Sequence, residues 1–212
     1  MELIKIFHVF TGILALVSGF LVFIQAKGTQ FHVRIGKVYY FAMLLVFLTS
    51  IYVSIYRENW FLLLIGIFSF YMVQSGVRMN SFRKSRKIVP LDKLRVFGYG
   101  LAFLTMIVLA LLVFARSMNL AIILLIFGLI GLSLIRLEFN YFILRKPSDD
   151  PNAYFREHIG RMTGSYIAAF TAFLVNNINF FHPLLMWLGP TVIGFGLILY
   201  FSKPYKLKKN KT

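Results

Sequence analysis

Long apolar stretches alternate with short polar ones along the whole chain. Seven apolar runs can be traced, at residues 4–25, 37–56, 60–77, 97–115, 120–140, 162–181 and 183–201. Each is close to the ~20 residues that an α-helix needs to cross a bilayer at ~1.5 Å per residue. No run shows the period-two alternation of a barrel strand, so each predicts a helix. The pattern therefore predicts an all-α, polytopic transmembrane bundle with seven spans.

Composition supports the same class of protein. Of the 212 residues, 59% are hydrophobic and 14% are charged, whereas soluble domains are about 45–50% apolar and about 25% charged. Seven spans leave no room for a separate soluble domain, so residues 1–212 are predicted to form a single integral membrane domain. The first run follows Glu2 and Lys5 and has no small-residue cleavage site, so it predicts a retained helix and not a signal peptide.

The basic residues mark one side of the membrane. All but three of the 23 Lys and Arg residues fall in every second gap between the apolar runs. In chain order they are Lys27, Arg34 and Lys37; Arg78, Arg83, Lys84, Arg86, Lys87, Lys93 and Arg95; Arg136, Arg145, Lys146, Arg156 and Arg161; Lys203, Lys206, Lys208, Lys209 and Lys211. Because cytoplasmic loops are enriched in Lys and Arg, the N-terminus is predicted outside and the C-terminus inside.

The formal net charge of +16 raises the question of a nucleic-acid partner. The basic residues lie in short loops at helix ends and not along one stripe or groove, which argues against nucleic-acid binding. Attraction to anionic lipid headgroups, about 1 kcal/mol per residue near the surface, explains them better. We expect a bilayer with anionic headgroups as the partner and no nucleic acid. The sequence does not indicate an oligomeric state.

Cofactor chemistry is limited by the absence of cysteine from the sequence. Disulfides, thiolate metal ligands, Fe–S clusters and covalently attached c-type haem are thereby excluded. Non-covalent haem b, or a metal held by histidine and carboxylate, remains possible. The sequence does not decide whether any cofactor is bound. It also lacks a Ser nucleophile elbow, a phosphate loop, a Rossmann fingerprint and a His-x-x-x-His box, so it assigns no enzymatic reaction.

The predicted topology sorts the four histidines by depth. His8 lies about one turn inside the outer end of the first span, and His182 lies at the outer corner before the seventh. His32 and His158 stand just before the inner ends of the second and sixth helices. Because the first span separates His8 from His32 by ~30 Å, these two cannot share one ion. His32 with His158, and His8 with His182, are the pairs that remain.

Three of these histidines are the predicted cofactor-binding residues: His8, His32 and His158. His32 and His158 are also the predicted metal pair, and His182 is interpreted as a corner residue beside Pro183. Small residues share a helix face with His8 and with His158. They leave room for a flat ligand such as haem, whose iron accepts one imidazole from each side. The same residues also allow close packing of helices, which we favour as their interpretation.

A second set of polar candidates is Glu138, Arg136 and Asn176. Glu138 is the only acidic residue predicted near membrane depth, and such a residue is a functional-site hypothesis by default. An extended helix end at the cytoplasmic interface is an equally good interpretation. Residues i and i+2 face apart on a helix, so Arg136 is not expected to be the direct partner of Glu138.

Two stretches of the chain resemble a known family. Residues 8–19 and 27–39 contain a histidine with glycines in the first span and then His-x-x-x-Gly-x-x-Tyr; residues 156–166 contain a later histidine followed by basic residues, Met and Ser. They resemble a family of bacterial predicted membrane proteins, domain of unknown function 2306. The chain departs from that pattern at Arg161, where the family often has Trp. The resemblance implies a bacterial cytoplasmic membrane and marks the positions His8, His32 and His158, but it implies no particular activity.

The function favoured by these observations is haem or metal binding in a membrane redox or electron-transfer protein. A looser likeness to diheme b-type membrane cytochromes rests only on histidines at helix ends. One alternative is a transporter or channel-like protein with a polar path around Glu138 and the sixth helix. Another is a non-catalytic lipid-interacting or assembly protein.

Overall fold

The computed structural model describes residues 2–178 and 180–205, and over these ranges the chain forms seven long α-helices and no strand. The helices are α1 (Glu2–Ile24), α2 (Gln30–Tyr56), α3 (Trp60–Ser85), α4 (Pro90–Val113), α5 (Met118–Glu138), α6 (Ala153–Asn177) and α7 (Pro183–Ser202). A π-helical segment, Phe139–Ile143, continues α5, and a 3₁₀ turn, Lys203–Tyr205, follows α7. The predicted all-α class is confirmed. The basic tail residues Lys206, Lys208, Lys209 and Lys211 lie outside the described residues.

Six of these helices are long and apolar enough to cross a membrane, and α6 is the one that is not. The first half of α6 carries Arg156, Glu157, His158 and Arg161, which lower its apolar content. By length and composition, the structure therefore agrees with six of the seven predicted spans.

Several helices extend beyond the apolar runs at the end of the bundle where α1, α3, α5 and α7 finish and α2, α4 and α6 begin. We call this the basic end. There α2 begins at Gln30, α3 continues to Ser85, α4 begins at Pro90 and α6 begins at Ala153. The extensions are roughly two turns each, at about 3.6 residues per turn. Hydropathy marks where apolar residues stop, whereas the backbone stays helical until a cap or a proline ends it.

Caps explain where several of these helices start. The side chains of Thr29 and Asn59 accept hydrogen bonds from backbone N–H groups in the first turns of α2 and α3, at 3.2 and 3.1 Å. Pro90 and Pro183 occupy the first positions of α4 and α7. A cap satisfies an orphan backbone donor, and proline at the first position has no donor to satisfy. The prediction that His32 and His158 precede their helices is wrong. His32 lies in the capped first turn of α2, and His158 lies within α6.

The bundle is organised around a central pair of helices, α3 and α6. The hairpin of α1 and α2 packs on one side and the hairpin of α4 and α5 on the other, while α7 packs against α6. Buried rings fill the centre in edge-to-face contacts, including Tyr71 with Phe103 at 5.0 Å and Phe82 with Tyr154 at 5.2 Å between centroids. Such pairs add about 0.5–1.5 kcal/mol beyond the area they bury. This packing fixes α3 against α6 and thereby positions the residues described next.

Candidate functional site

A cavity of about 680 Å³ opens at the basic end of the bundle. Its walls come from α1, α2, α3, α6 and α7, together with the link between α1 and α2. Pockets that bind small molecules and cofactors are commonly about 300–1,000 Å³. The cavity is therefore large enough to hold a cofactor-sized ligand.

His158 is held in the wall of the cavity by a backbone hydrogen bond. Its Nδ1 lies 2.8 Å from the carbonyl oxygen of Gly76 on α3. A carbonyl can only accept, so Nδ1 carries the proton, and in the neutral ring Nε2 keeps its lone pair. Proteins orient metal-ligating imidazoles by this kind of bond from the other ring nitrogen. The arrangement makes His158 a competent ligand.

His32 lines the same cavity from the first turn of α2. Its backbone N–H is fixed by the hydroxyl of Thr29. Its Nδ1 is buried and has no hydrogen-bond partner among the described residues. The structure thus brings together the two histidines that the predicted topology had placed on the same side. No group of three or more His, Cys, Asp or Glu side chains that could hold a metal occurs in the described part of the chain.

Apart from the two imidazoles, the described lining residues include cations and no carboxylate. Among the described residues the charged lining side chains are Lys27, Lys37, Arg83 and Lys84. The ammonium of Lys27 donates to the carbonyls of Val22 and Phe23, at 3.0 and 3.1 Å, and lies 4.9 Å from the ring centroid of Phe201. Positive charge and aromatic rings without acidic neighbours suit an anionic ligand with an apolar body.

The small-residue faces are filled by aromatic side chains deeper in the bundle. A Cβ at Gly19 would lie 3.0 Å from the ring of Tyr39 and closer still to that of Tyr166. The hydroxyl of Tyr39 is hydrogen-bonded to that of Ser165 at 2.8 Å. At this depth the close-packing interpretation of the small residues therefore describes the structure. Tyr39 and Tyr166 also belong to the lining of the cavity.

The other two histidines lie away from the cavity. The Nδ1 of His8 is 2.7 Å from the hydroxyl of Thr49. That hydroxyl also lies 2.7 Å from the carbonyl of Leu45, which can accept its proton. His182 caps α7, where its Nδ1 accepts the backbone N–H of Leu184 at 3.3 Å. His182 is thus a corner residue as interpreted, and the cofactor role of His8 stays a prediction.

Glu138 belongs to a buried network in the centre of the bundle. It is 0% exposed, and the hydroxyls of Tyr71, at 3.1 Å, and Ser75 donate to its Oε1. Its cationic partner is Arg161, which is 1% exposed and whose Nε lies 3.8 Å from the same oxygen. Oε2 of Glu138 has no hydrogen-bond partner among the described residues. Hydroxyls of α3 and the guanidinium of α6 therefore stabilise the carboxylate of Glu138 through its Oε1.

Arg161 was not recognised in the sequence as a core residue, because it falls in a gap rich in cations. Its Nε donates to Ser75 at 2.6 Å, and its Nη1 donates to Glu157 at 2.6 Å. The spacing of Glu157 and Arg161, four residues apart on one helix, is the sequence signal that indicates this pairing. The network fastens α6 to α3 directly beside the bond between His158 and Gly76.

Arg136 and Asn176 do not join Glu138. Arg136 is exposed on α5, as the spacing of two residues from Glu138 predicts. Asn176 is exposed near the end of α6 and donates to the carbonyl of Ala172 at 2.7 Å. It lies ~22 Å along α6 from Arg161, at ~1.5 Å per residue. The three polar candidates do not line one continuous path.

An ion pair orders the loop beside the basic end. Asp150 accepts the backbone N–H of Asn152 at 2.8 Å and pairs with Arg156 at 2.5 Å. The backbone N–H of Asn152, and then the guanidinium of Arg156, hold the pKa of Asp150 below its ordinary value. Arg156 also donates to the carbonyl of Tyr205 at 2.9 Å, which ties the loop to the end of α7.

Comparison of the chain with protein-family models, with curated proteins and with solved structures finds no match. The class of the protein therefore rests on its own fold and cavity. It is a helical bundle whose apolar helices have the length and composition of membrane spans. The cavity at its basic end is lined by imidazole, cationic and aromatic side chains.

Proposed function

We propose that this chain is a haem-binding protein of the bacterial cytoplasmic membrane, with haem b held between His32 and His158 in an electron-transfer role. The observation that carries the proposal is the presence of these two imidazoles in one cavity of about 680 Å³. They come from different helices, so only the tertiary fold brings them together.

The residues present fit the cofactor. The bond from His158 to Gly76 leaves Nε2 free to ligate, and the buried Nδ1 of His32 has no protein partner among the described residues. Aromatic and apolar side chains suit the macrocycle, and cations suit its propionates. When bound, haem b supplies one-electron redox chemistry. The protein itself orients the imidazole of His158 and supplies positive charge.

The first test is haem titration of the purified protein in detergent, followed by its visible spectrum. We expect a Soret band and the sharp visible bands of two imidazole ligands. His32→Ala and His158→Ala should each abolish that ligation pattern and weaken haem binding by more than about tenfold, because even an outer-shell partner of a metal ligand is worth 10–100-fold. His182→Ala removes an imidazole far from the cavity and should leave the spectrum unchanged.

Two results would contradict the haem proposal. One is a wild-type protein that acquires no Soret band when haem is supplied. The other is a spectrum that survives in His158→Ala and is lost in His8→Ala, which would place the ligand at the opposite end of α1. The same titration thereby tests the role predicted for His8.

We further propose that α6 is a seventh span, with the N-terminus outside and the C-terminus inside. α6 has 25 residues, which is long enough to cross a bilayer. Its charged residue Arg161 is buried against α3 and α5 and does not face lipid. Intramembrane charges characteristically face the interior of a bundle in this way. The alternation of basic gaps supports the orientation.

The absence of cysteine from the sequence makes the topology directly testable by single-cysteine labelling. Glu58→Cys, Arg116→Cys and Phe181→Cys should react with a membrane-impermeant maleimide in intact cells. Lys87→Cys and Lys146→Cys should react only after permeabilisation. Labelling of Phe181→Cys only after permeabilisation would show that α6 does not cross.

A further inference from the structure

The cations of the cavity differ from the other buried and half-buried arginines of the bundle. Elsewhere each such arginine faces a carboxylate, as the following pairs show: Arg78 and Arg95 with Asp92, Arg156 with Asp150, and Arg161 with Glu138 and Glu157. Within the described residues, none of the four cations that line the cavity forms a salt bridge. Four of the chain's seven acidic residues, Asp92, Glu138, Asp150 and Glu157, thus pair with arginines elsewhere, and the cavity keeps its positive charge.

Arg83 is the cation of the lining whose side chain has the most specific surroundings. Its guanidinium carbon lies 4.7 Å from the ring centroid of Phe155, and Nε is buried without a hydrogen-bond partner among the described residues. One turn earlier on α3, the Oδ1 of Asn80 is likewise buried and unpartnered there. Leaving a buried polar group unsatisfied is unfavourable, and more so when the group is charged. A ligand acceptor that reaches Arg83 removes that cost.

The second cation is Lys27, in the link between α1 and α2. Two backbone carbonyls at the end of α1 and the ring of Phe201 hold its ammonium. An ammonium has three donors, and the two carbonyls use two of them. Lys27 therefore presents positive charge and one free donor at the wall of the cavity without a carboxylate partner among the described residues.

We propose that Arg83 and Lys27 form an anion-binding subsite that takes the carboxylates of a flat, otherwise apolar ring. The inference rests on the proposed function and deepens it: in haem b these groups are the two propionates. Guanidinium binds a carboxylate through parallel N–H donors, and the cation–π contact with Phe155 restrains the Arg83 side chain. The aromatic side chains of the lining receive the ring, and the two cations beside them receive the acids. The ligand class is therefore a ring diacid.

The test uses metal-free protoporphyrin IX, because it keeps the two carboxylates and needs no histidine ligand. The purified protein in neutral detergent is titrated with the diacid and, separately, with its dimethyl ester, with empty micelles as the blank. Porphyrin fluorescence reports binding. We expect the diacid to bind at least tenfold more tightly than the ester. Arg83→Met and Lys27→Met should each weaken diacid binding by about tenfold or more, the loss expected for a charged hydrogen bond, and leave ester binding unchanged.

Arg34→Met is the matched control. Arg34 is exposed on the first turns of α2 and is not part of the lining, so its loss removes the same charge and should leave both titrations unchanged. Equal binding of diacid and ester, or equal weakening of both by Arg83→Met, would overturn the subsite. Circular dichroism of each variant checks that the fold is retained, and Lys27→Met provides a second, independent variant.

Phospholipid headgroups are another source of anions at this end of the bundle. The titration is therefore repeated with phosphatidylglycerol and with phosphatidylcholine added to the micelles. If the subsite takes ring carboxylates, neither lipid displaces the diacid. Displacement by phosphatidylglycerol alone would overturn the assignment in favour of a lipid phosphate. Porphyrin binding that responds to Arg83, in a protein whose haem spectrum ignores His32 and His158, would uphold the subsite while refuting the proposed haem ligation.

Discussion

Arg161→Met is expected to lower the free energy of unfolding by about 3–5 kcal/mol, the cost of removing one partner from a buried ion pair. Glu138 would keep the hydroxyls of Tyr71 and Ser75 but lose its cation, while remaining fully buried. Methionine fills much of the arginine volume, so the effect reports charge more than a cavity. Unfolding of the purified protein, followed by circular dichroism during heating or SDS titration, measures the change.

Two companion variants separate the ion pair from general damage. Arg136→Met removes an exposed arginine two residues from Glu138 and should change stability by less than about 0.5 kcal/mol. Glu138→Gln combined with Arg161→Met leaves no buried carboxylate at that position and should recover part of the loss. If Arg161→Met is as stable as Arg136→Met, the network does not fasten α6 to α3.

Asp92→Ala is expected to lower the free energy of unfolding by about 2–5 kcal/mol, because it removes a charge-assisted pair and a helix cap together. Asp92 is 1% exposed and accepts from Arg78 at 2.5 and 2.6 Å and from the backbone N–H of Val89 at 2.9 Å. Its loss leaves Arg78 and Arg95 without their carboxylate partner. Thermal unfolding in detergent measures the total loss.

Hydrogen exchange in the first turn of α4 localises the effect of Asp92. Asp92→Asn keeps an acceptor for Val89 but not the charge, so we expect an intermediate stability. Lys93→Ala changes the neighbouring exposed residue and should behave like the wild type. In Asp92→Ala we expect exchange to become faster first in α4. Faster exchange throughout the bundle would show that Asp92 stabilises the whole fold and not only the contact between α3 and α4.

The all-α class was predictable because long apolar runs have few other solutions in a chain of this composition. The residues at which helices start and stop at the basic end were not predictable, because the helices there continue through charged residues. Thr29 and Pro90 carry the local signals that set two of these starts. Helix α6 is not apolar enough to be recognised as a span, since its first half, before the sixth apolar run, carries charged residues that pack against α3.

The pairing of His32 with His158 followed from topology alone, because the alternation of basic gaps placed both on one side. The separation of His8 from them followed from the length of the first span. The burial of Arg161 was not predicted, because arginines in the gaps between apolar runs normally indicate the cytoplasmic side of the membrane. The fold shows that Arg161 faces Glu138. The unpartnered atoms of Arg83 and Asn80 could not be foreseen, since hydrogen-bond satisfaction is a property of tertiary structure.

Because the helices extend past their apolar runs, the cavity is a preorganised binding site. His32, Arg83 and His158 all stand on these extensions, where each backbone is already fixed by helical hydrogen bonds. Among the described lining residues, the only ones outside a helix are Lys27 and Gly28, in the short link between α1 and α2. A receptor built in this way loses little conformational entropy when its ligand enters, and that loss is a main cost of binding. Affinity at the basic end is therefore set by chemistry at the wall and not by the ordering of loops.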